Sequence, residues 1–331
     1  MARVAGVSAM SVSRALNGRP GVGAETVRRI EDAARQLGFR RNTLAASLRN
    51  KQQLSLIGMI VPDPHTPLFT SIAVEVDRLV RDEGLIVVTA SSDRDPVKER
   101  GLVQAFQRRG FDGILLFSED DDHSYIAPEL ERGRPIIFLG SVPRGVEAPC
   151  VLVDNRGGAR AAVEHLLAHG HRRIGIVAGE TSFPASERLA GYEETLAAHG
   201  IAPDPSLIRT GPRLPEYGRA AAVSLLAQAE PATAIFSTNY PLTTGILDAI
   251  RSRSAPVALV GFDDFEAAAL VEPPITVITQ DPPAMGRHAA GMLRDLMSAS
   301  GGDRSARTVV PATLIARGSG ELAPEHQLRY R

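Results

Sequence analysis

From Leu54 onward the apolar positions follow two alternating rhythms. Short runs rich in Val and Ile, LSLIGMIVP, LIVVTAS, DGILLFS and PIIFLG, read as buried strands. Between them, IAVEVDRLVRDEG and VKERGLVQAFQRRG space their apolar residues as helices do, with Ile72, Val76, Leu79 and Val80 on one stripe. Strand followed by helix, repeated, implies a parallel sheet covered by helices on both faces. After Cys150 the rhythm starts again with VLVD, ARAAVEHLLAHG, RRIGIVAG, SERLAGYEETLAAHG, ATAIFSTN, a helix near 242–253, and VALVGFDD. ITVITQ, a helix from about Met285 to Ser298 and TVVPATLIARG close the pattern. The fold class expected is α/β: two doubly wound lobes facing each other across a cleft, lined by loops at the carboxyl ends of the strands. Residues after Gly318 are polar and unpatterned and are expected to fray.

The first fifty residues have a different character, with helical patterns and no strand signal. AGVSAMSVSRALNG predicts the end of one helix, a tight turn at Gly6, and a second helix with Ser8 as N-cap and Val12, Ala15 and Leu16 as its apolar stripe. In AETVRRIEDAARQLGF a third helix carries Val27, Ile30, Ala34 and Leu37 inward, and Gly38 stops it. The expected organisation is a helical head over 1–41, a linker over 42–53 and a two-lobed body over 54–320. Lobe one takes about 54–156 plus 281–309, lobe two about 157–280 plus 310–320, and 321–331 form a tail.

Charge separates the same two regions. Residues 1–53 hold ten Lys/Arg against three Asp/Glu, a balance of +7, while the other 278 residues hold 27 against 35, a balance of −8. A basic head on an acidic body suggests a polyanion partner for the head alone. No apolar run approaches a membrane span of about 18 residues, and Arg3, Arg14 and Arg19 interrupt any signal-peptide core, so a cytoplasmic protein with no membrane partner is expected. The single cysteine, Cys150, excludes an internal disulfide and a cysteine zinc site, and no cofactor is implied.

Two short helices joined by a tight turn, the second able to offer its amino-terminal residues to a major groove about 12 Å wide, make a helix-turn-helix. Ala9, Met10, Ser13 and Arg14 would face base edges, Arg14 forking onto a guanine, Ser11 and Asn17 suit phosphate contacts, and Ser8, which starts the helix, belongs to the same DNA-binding set. A generic three-helix bundle would share the pattern; the charge asymmetry favours double-stranded DNA.

In order along nearly the whole chain, AGVSAMSVSRALNG, ETVRRIEDAARQLGFRRN, AASLR, SLIGMIVPD, FDGILLF, VLVDNRGGARAAVEHLLAHGHRRIGIVAG, ERLAGY, PATAIFSTN, VALVGFDD and PPITVITQ resemble the LacI/GalR family of bacterial transcription regulators. The resemblance implies a homodimeric repressor on a near-palindromic operator, controlled by a sugar or other small metabolite in the cleft. It also implies that RRNTLAASLRNKQ is a hinge helix whose Leu48 wedges into the minor groove. Arg49 and Lys51 beside it would neutralise phosphate and offset the cost of unstacking, a few kcal/mol. By the same resemblance Phe69, Arg188, Asn239, Asp263 and Gln280 are the effector contacts. Each suits a polyhydroxylated ligand: Arg and Asp pair with adjacent hydroxyls, Asn and Gln supply donor and acceptor, and an aromatic face covers a sugar ring. Each also has a plain structural alternative: an Arg188–Asp263 ion pair, Asn239 as a helix cap, Phe69 as core.

The chain departs from that family in four places. Its first helix is cut short, Tyr240 follows Asn239 where relatives carry Asp, Gly140 replaces a carboxylate found in some, and Arg213 adds a cation. Fewer carboxylates and one more guanidinium lead to the expectation of an acidic or phosphorylated ligand. Of the rival functions, an enzyme lacks its motifs. Neither Lys51 nor Lys98 precedes Ser or Thr, there is no Gly-rich dinucleotide loop or nucleophile elbow, and His165 and His169 lack the Glu of a zincin and read as partly exposed helix-end residues with His171. A two-lobed solute-binding protein without DNA activity is the other rival, and the basic head opposes it.

Overall fold

The computed structural model describes residues 1–16, 20–37, 55–180, 182–251, 257–298 and 301–324. The chain forms two compact units, Met1–Ser55 and Leu56–Arg331.

The head has three described helices, α1 (Ala2–Ala5), α2 (Ala9–Leu16) and α3 (Ala24–Gln36). Gly6 turns the chain between α1 and α2 in the left-handed region, φ 65° and ψ 37°, where a residue without Cβ is at ease. Ser8 caps α2 as its sequence predicts, its Oγ accepting the Ser11 N–H at 3.1 Å. Ala5, Ile30 and Ala33 are the buried centre, with Val7, Val12, Ala15 and Leu16 against them. The α3 stripe is rotated slightly from the expected one: Ala33 rather than Ala34 is buried, and Leu37 is 51% exposed at the end of the helix. A stripe of three turns drifts around a 3.6-residue helix, so its last member points away from so small a core. Gly38 and the linker 42–53 lie outside the described residues.

The body consists of two six-stranded sheets. Lobe one is built from β1 (Ser55–Val61), α4 (Pro67–Val80), β2 (Leu85–Ser91), α5 (Pro96–Arg108), β3 (Gly113–Leu116), α6 (Ala127–Glu131), β4 (Ile136–Leu139) and β5 (Cys150–Val153). The chain crosses into lobe two as α7 (Asn155–Ala168), β6 (Ile174–Gly179), α8 (Phe183–Ala198), β7 (Ile208–Gly211), α9 (Pro215–Leu226), β8 (Ala234–Ser237), α10 (Tyr240–Arg251), β9 (Ala258–Phe262) and β10 (Thr276–Thr279). It returns to lobe one for α11 (Pro282–Met297) and β11 (Arg307–Val310), then crosses a third time to place β12 (Thr313–Ile315). The orders are β11-β5-β4-β3-β1-β2 and β12-β10-β9-β8-β6-β7. β12 runs antiparallel to β10, Ile278 facing Leu314.

Helices on both faces explain why β3, β4, β5, β8 and β9 are buried at every position and read as continuous apolar runs. Each sheet separates two apolar clusters. In lobe one, Ile57, Met59 and Leu115 pack beneath α4 and α11, while Ile60, Leu116 and Phe138 pack on the other face. Gly58 is required there, since a Cβ would lie 2.2 Å from the Phe106 ring. Lobe two repeats the arrangement around Tyr192, Phe236 and Phe262 on one side and Ile235, Leu259 and Val277 on the other.

The start of the expected tail is tied down rather than frayed. Ser319 is buried, its hydroxyl donating to the Leu259 carbonyl and accepting the Thr276 N–H at 2.9 Å. Glu321 accepts from Thr276 Oγ1 at 2.7 Å and the Gly318 N–H at 2.8 Å, and the Leu322 carbonyl lies 2.6 Å from Nε2 of His171. Backbone polar groups, which apolar patterning does not register, hold this segment. His171 is likewise fully buried, not a partly exposed helix-end residue, and its Nδ1 is 3.0 Å from Thr233 Oγ1.

Candidate functional site

In the head, α2 presents one solvent face. Its cap Ser8 and Ala9, Met10, Ser13 and Arg14 are all exposed, Met10 at 66%, and Ser11 is half-buried beside them. A methionine so open to water on a capped helix, next to a serine and an arginine, is a surface waiting for apolar and hydrogen-bonding contact together. The guanidinium of Arg29 reaches from α3 to the Ala5 carbonyl at 2.7 Å and fastens the end of α1 against the turn. Asn17, Leu48 and Arg49, assigned to DNA by the sequence, lie outside the described residues.

The second site is the cleft between the lobes, a cavity of about 110 Å³ that is partly open to solvent. All five residues assigned to the effector line it: Phe69, Arg188, Asn239, Asp263 and Gln280. They arrive from five different elements at the carboxyl ends of strands, where a doubly wound lobe puts its loops. Phe69, near the start of α4, meets Phe117 edge-on with ring centroids 4.7 Å apart, so it is packed on one side and faces the cavity on the other.

Arg188 is the most constrained of the five. It projects from α8, only 7% exposed, with Nε donating to Asn155 Oδ1 at 2.8 Å and Nη1 to the Thr238 carbonyl. Its Cζ lies 3.5 Å from the centre of the Phe262 ring, a close cation–π contact. Nη2 and Asp263 Oδ1 are 3.8 Å apart, near enough to attract but with no hydrogen bond between them. Burial pulls the guanidinium down to about 10, and the Asp263 charge works against that pull, so Arg188 stays cationic at neutral pH. Asp263 is held at φ 75°, where a residue with a Cβ is strained. Gln280 Nε2 donates to its Oδ1 at 2.6 Å and the Tyr240 N–H reaches its Oδ2 at 3.4 Å. Asn239 does cap α10, its Oδ1 accepting the Leu242 N–H at 3.1 Å, and it lines the cavity as well.

Arg94 and Glu119 line the same cavity, and sequence reasoning missed them. Both sit in loops directly after strands, SSDRDP after β2 and FSEDDD after β3, and that position was the available signal. The expected lone cation is not alone: Arg213 of lobe two makes an ion pair with Glu119 of lobe one, and Arg94 approaches the same carboxylate at 3.3 Å and Asp63 at 3.7 Å. Burial and the neighbouring Arg213 charge both lower the Arg94 pKa, while Glu119 and Asp63 raise it. The argument from Arg213 to an acidic ligand therefore fails, because its charge is met inside the protein.

Residues 1–42 match the family described as "Bacterial regulatory proteins, lacI family", and residues 163–320 match the "Periplasmic binding protein-like domain". The chain is 30% identical over 306 residues to the "Probable HTH-type transcriptional regulator EndR" of Paenibacillus polymyxa, covering 88% of each chain. Among solved structures it is similar to the lac repressor dimer bound to operator and the anti-inducer ONPF, with a TM-score of 0.78 and 26% identity over 97% of this chain and 98% of that one. It is also similar to a complex of the transcriptional regulator CelR with cellobiose, with a TM-score of 0.71 and 29% identity over 96% and 98%. Among the described residues, no helix is long and apolar enough to cross a membrane.

Proposed function

Because the chain belongs to the lacI family of bacterial regulatory proteins, we propose that it is a homodimeric, cytoplasmic repressor whose hold on a near-palindromic operator is set by a sugar or sugar derivative in the cleft. Membership makes it a DNA-binding regulator of transcription and not an enzyme. The ligand reading rests on one observation above all: Arg188, Asn239, Asp263 and Gln280 converge on one cavity faced by Phe69. That combination offers a buried cation, a carboxylate, two amides and an aromatic wall, which together match a ring of adjacent hydroxyls.

On the DNA side, Ser8, Ala9, Met10, Ser13 and Arg14 enter one major groove per head, and Ser11 and Asn17 steady it on phosphates. Leu48 from each of two linkers opens the central minor-groove step, flanked by Arg49. The ligand acts only to the degree that it binds one arrangement of the lobes better than the other. Fluorescence anisotropy against genomic operator fragments, repeated over a salt series, tests the whole reading. Binding should be duplex-specific and fall steeply with salt. Leu48→Ala should weaken operator binding while leaving ligand affinity of the body unchanged, and equal operator affinity would remove the wedge. A solute-binding protein would show no duplex preference at all.

A further inference from the structure

Five charged side chains line the cleft: the guanidiniums of Arg94, Arg188 and Arg213 and the carboxylates of Glu119 and Asp263, with Asp63 behind Arg94 at 3.7 Å as a third carboxylate. Three cations thus meet three anions. Glu119 holds the central place, because it is the carboxylate that touches guanidiniums from both lobes, Arg94 of lobe one and Arg213 of lobe two. Without it, two half-buried guanidiniums would confront each other across the cavity, and Arg94 already feels the Arg213 charge.

Glu119 is also fixed from behind. Its N–H donates to Glu99 Oε2 at 2.9 Å, and Glu99 is fully buried on α5, where burial raises its pKa. Glu99 Oε1 accepts from the Ser118 hydroxyl and from Tyr125 Oη at 3.0 Å. The direction of this network follows from one backbone group. The Arg144 N–H donates to His123 Nδ1 at 2.8 Å, so Nε2 carries the proton and donates to Ser118 Oγ at 2.9 Å. A histidine that donates to the serine is no base for it, so Glu99, Ser118 and His123 do not form a catalytic triad. They anchor the backbone of the loop that carries Glu119, while its carboxylate is held by Arg94 and Arg213 alone.

We infer that Glu119 is the specificity residue for ligand charge, a built-in counter-anion that holds Arg94 and Arg213 across the cleft and reserves the cavity for uncharged ligands. The inference rests on the cleft being the effector site, but its test needs no effector. The probe is inorganic phosphate, titrated calorimetrically into the full-length protein. Removing the carboxylate leaves two guanidiniums from opposite lobes suited to a phosphate, so Glu119→Gln should bind it at least about tenfold more tightly than the parent chain. Adding Arg213→Ala to that variant should abolish the gain. Glu119→Ala, which leaves neither carboxylate nor amide at the position, should show the gain too and serves if Glu119→Gln does not fold. The inference is overturned by equal phosphate affinity in parent and variants, or by a gain that survives Arg213→Ala. Failure of the effector site itself would show elsewhere, as an Arg188→Ala protein with an undiminished response to its sugar.

Discussion

The head and the body place their working surfaces in opposite ways. The head exposes its candidate surface on one convex helix, where Ser8 to Arg14 are neighbours in sequence and in space. In the body the candidate site is concave, and its residues come from helices and loops as far apart as Phe69 and Gln280. The buried centre of the head is three residues, whereas each lobe has two large clusters. A convex reader needs little support and has little to spare, while a concave sensor needs two complete lobes before its residues meet.

The sharpest way to break the comparison is to hollow out the head. Ile30→Ala removes the largest of its three central side chains and should cost about 2–5 kcal/mol, enough to unfold a unit of this size. Calorimetry should then show the transition of the body unchanged while operator binding is lost. If both regions lost stability together, they would not be separate units. The converse variant, Arg188→Ala, leaves Asn155, the Thr238 carbonyl and Asp263 without their cation and should weaken ligand binding about 100-fold, with ligand-free operator affinity intact. A finer test removes the cap of the reading helix. Ser8→Ala should cost about 1 kcal/mol in the head, seen as weaker operator binding with an unchanged salt slope.

Acid should separate the regions as well, because the described head contains no histidine, while the body buries His123 and His171 and half-buries His165. Desolvation lowers the pKa of His123, His165 and His171 below the ordinary imidazole value. A base with a depressed folded pKa binds more protons when unfolded, so its stabilisation is complete above about pH 6.5 and is lost as pH falls below that. Glu99, whose pKa is raised, works in the opposite sense. The Tm of the body should fall on acidification from pH 7 to pH 5.5, and less so in His171→Gln, with little change in the head.

These contrasts also explain what the sequence disclosed. In the head everything needed was local: a cap, a left-handed glycine and an exposed face follow from residues within one turn of each other, and only the drift at Leu37 escaped. Lobes and their strands were legible because strands covered on both faces give unmistakable apolar runs. The five effector residues came from family resemblance and not from periodicity, and all five line the cavity. Hidden from both were Glu119 and the hold of Ser319 to Leu322, since each depends on a charge or carbonyl contributed by a distant element. Arg213 was noticed without its partner for the same reason, and the step from its charge to an acidic ligand was drawn without Glu119.

The third crossing between the lobes bears on how the protein is made. β11 completes the sheet of lobe one and β12 that of lobe two, and only Pro311 and Ala312 separate them. A ribosome that has reached residue 300 has therefore produced two unfinished sheets, each missing the strand that covers its flank. Both are finished almost at once, within residues 307–315, so the sensor cannot come into being by halves.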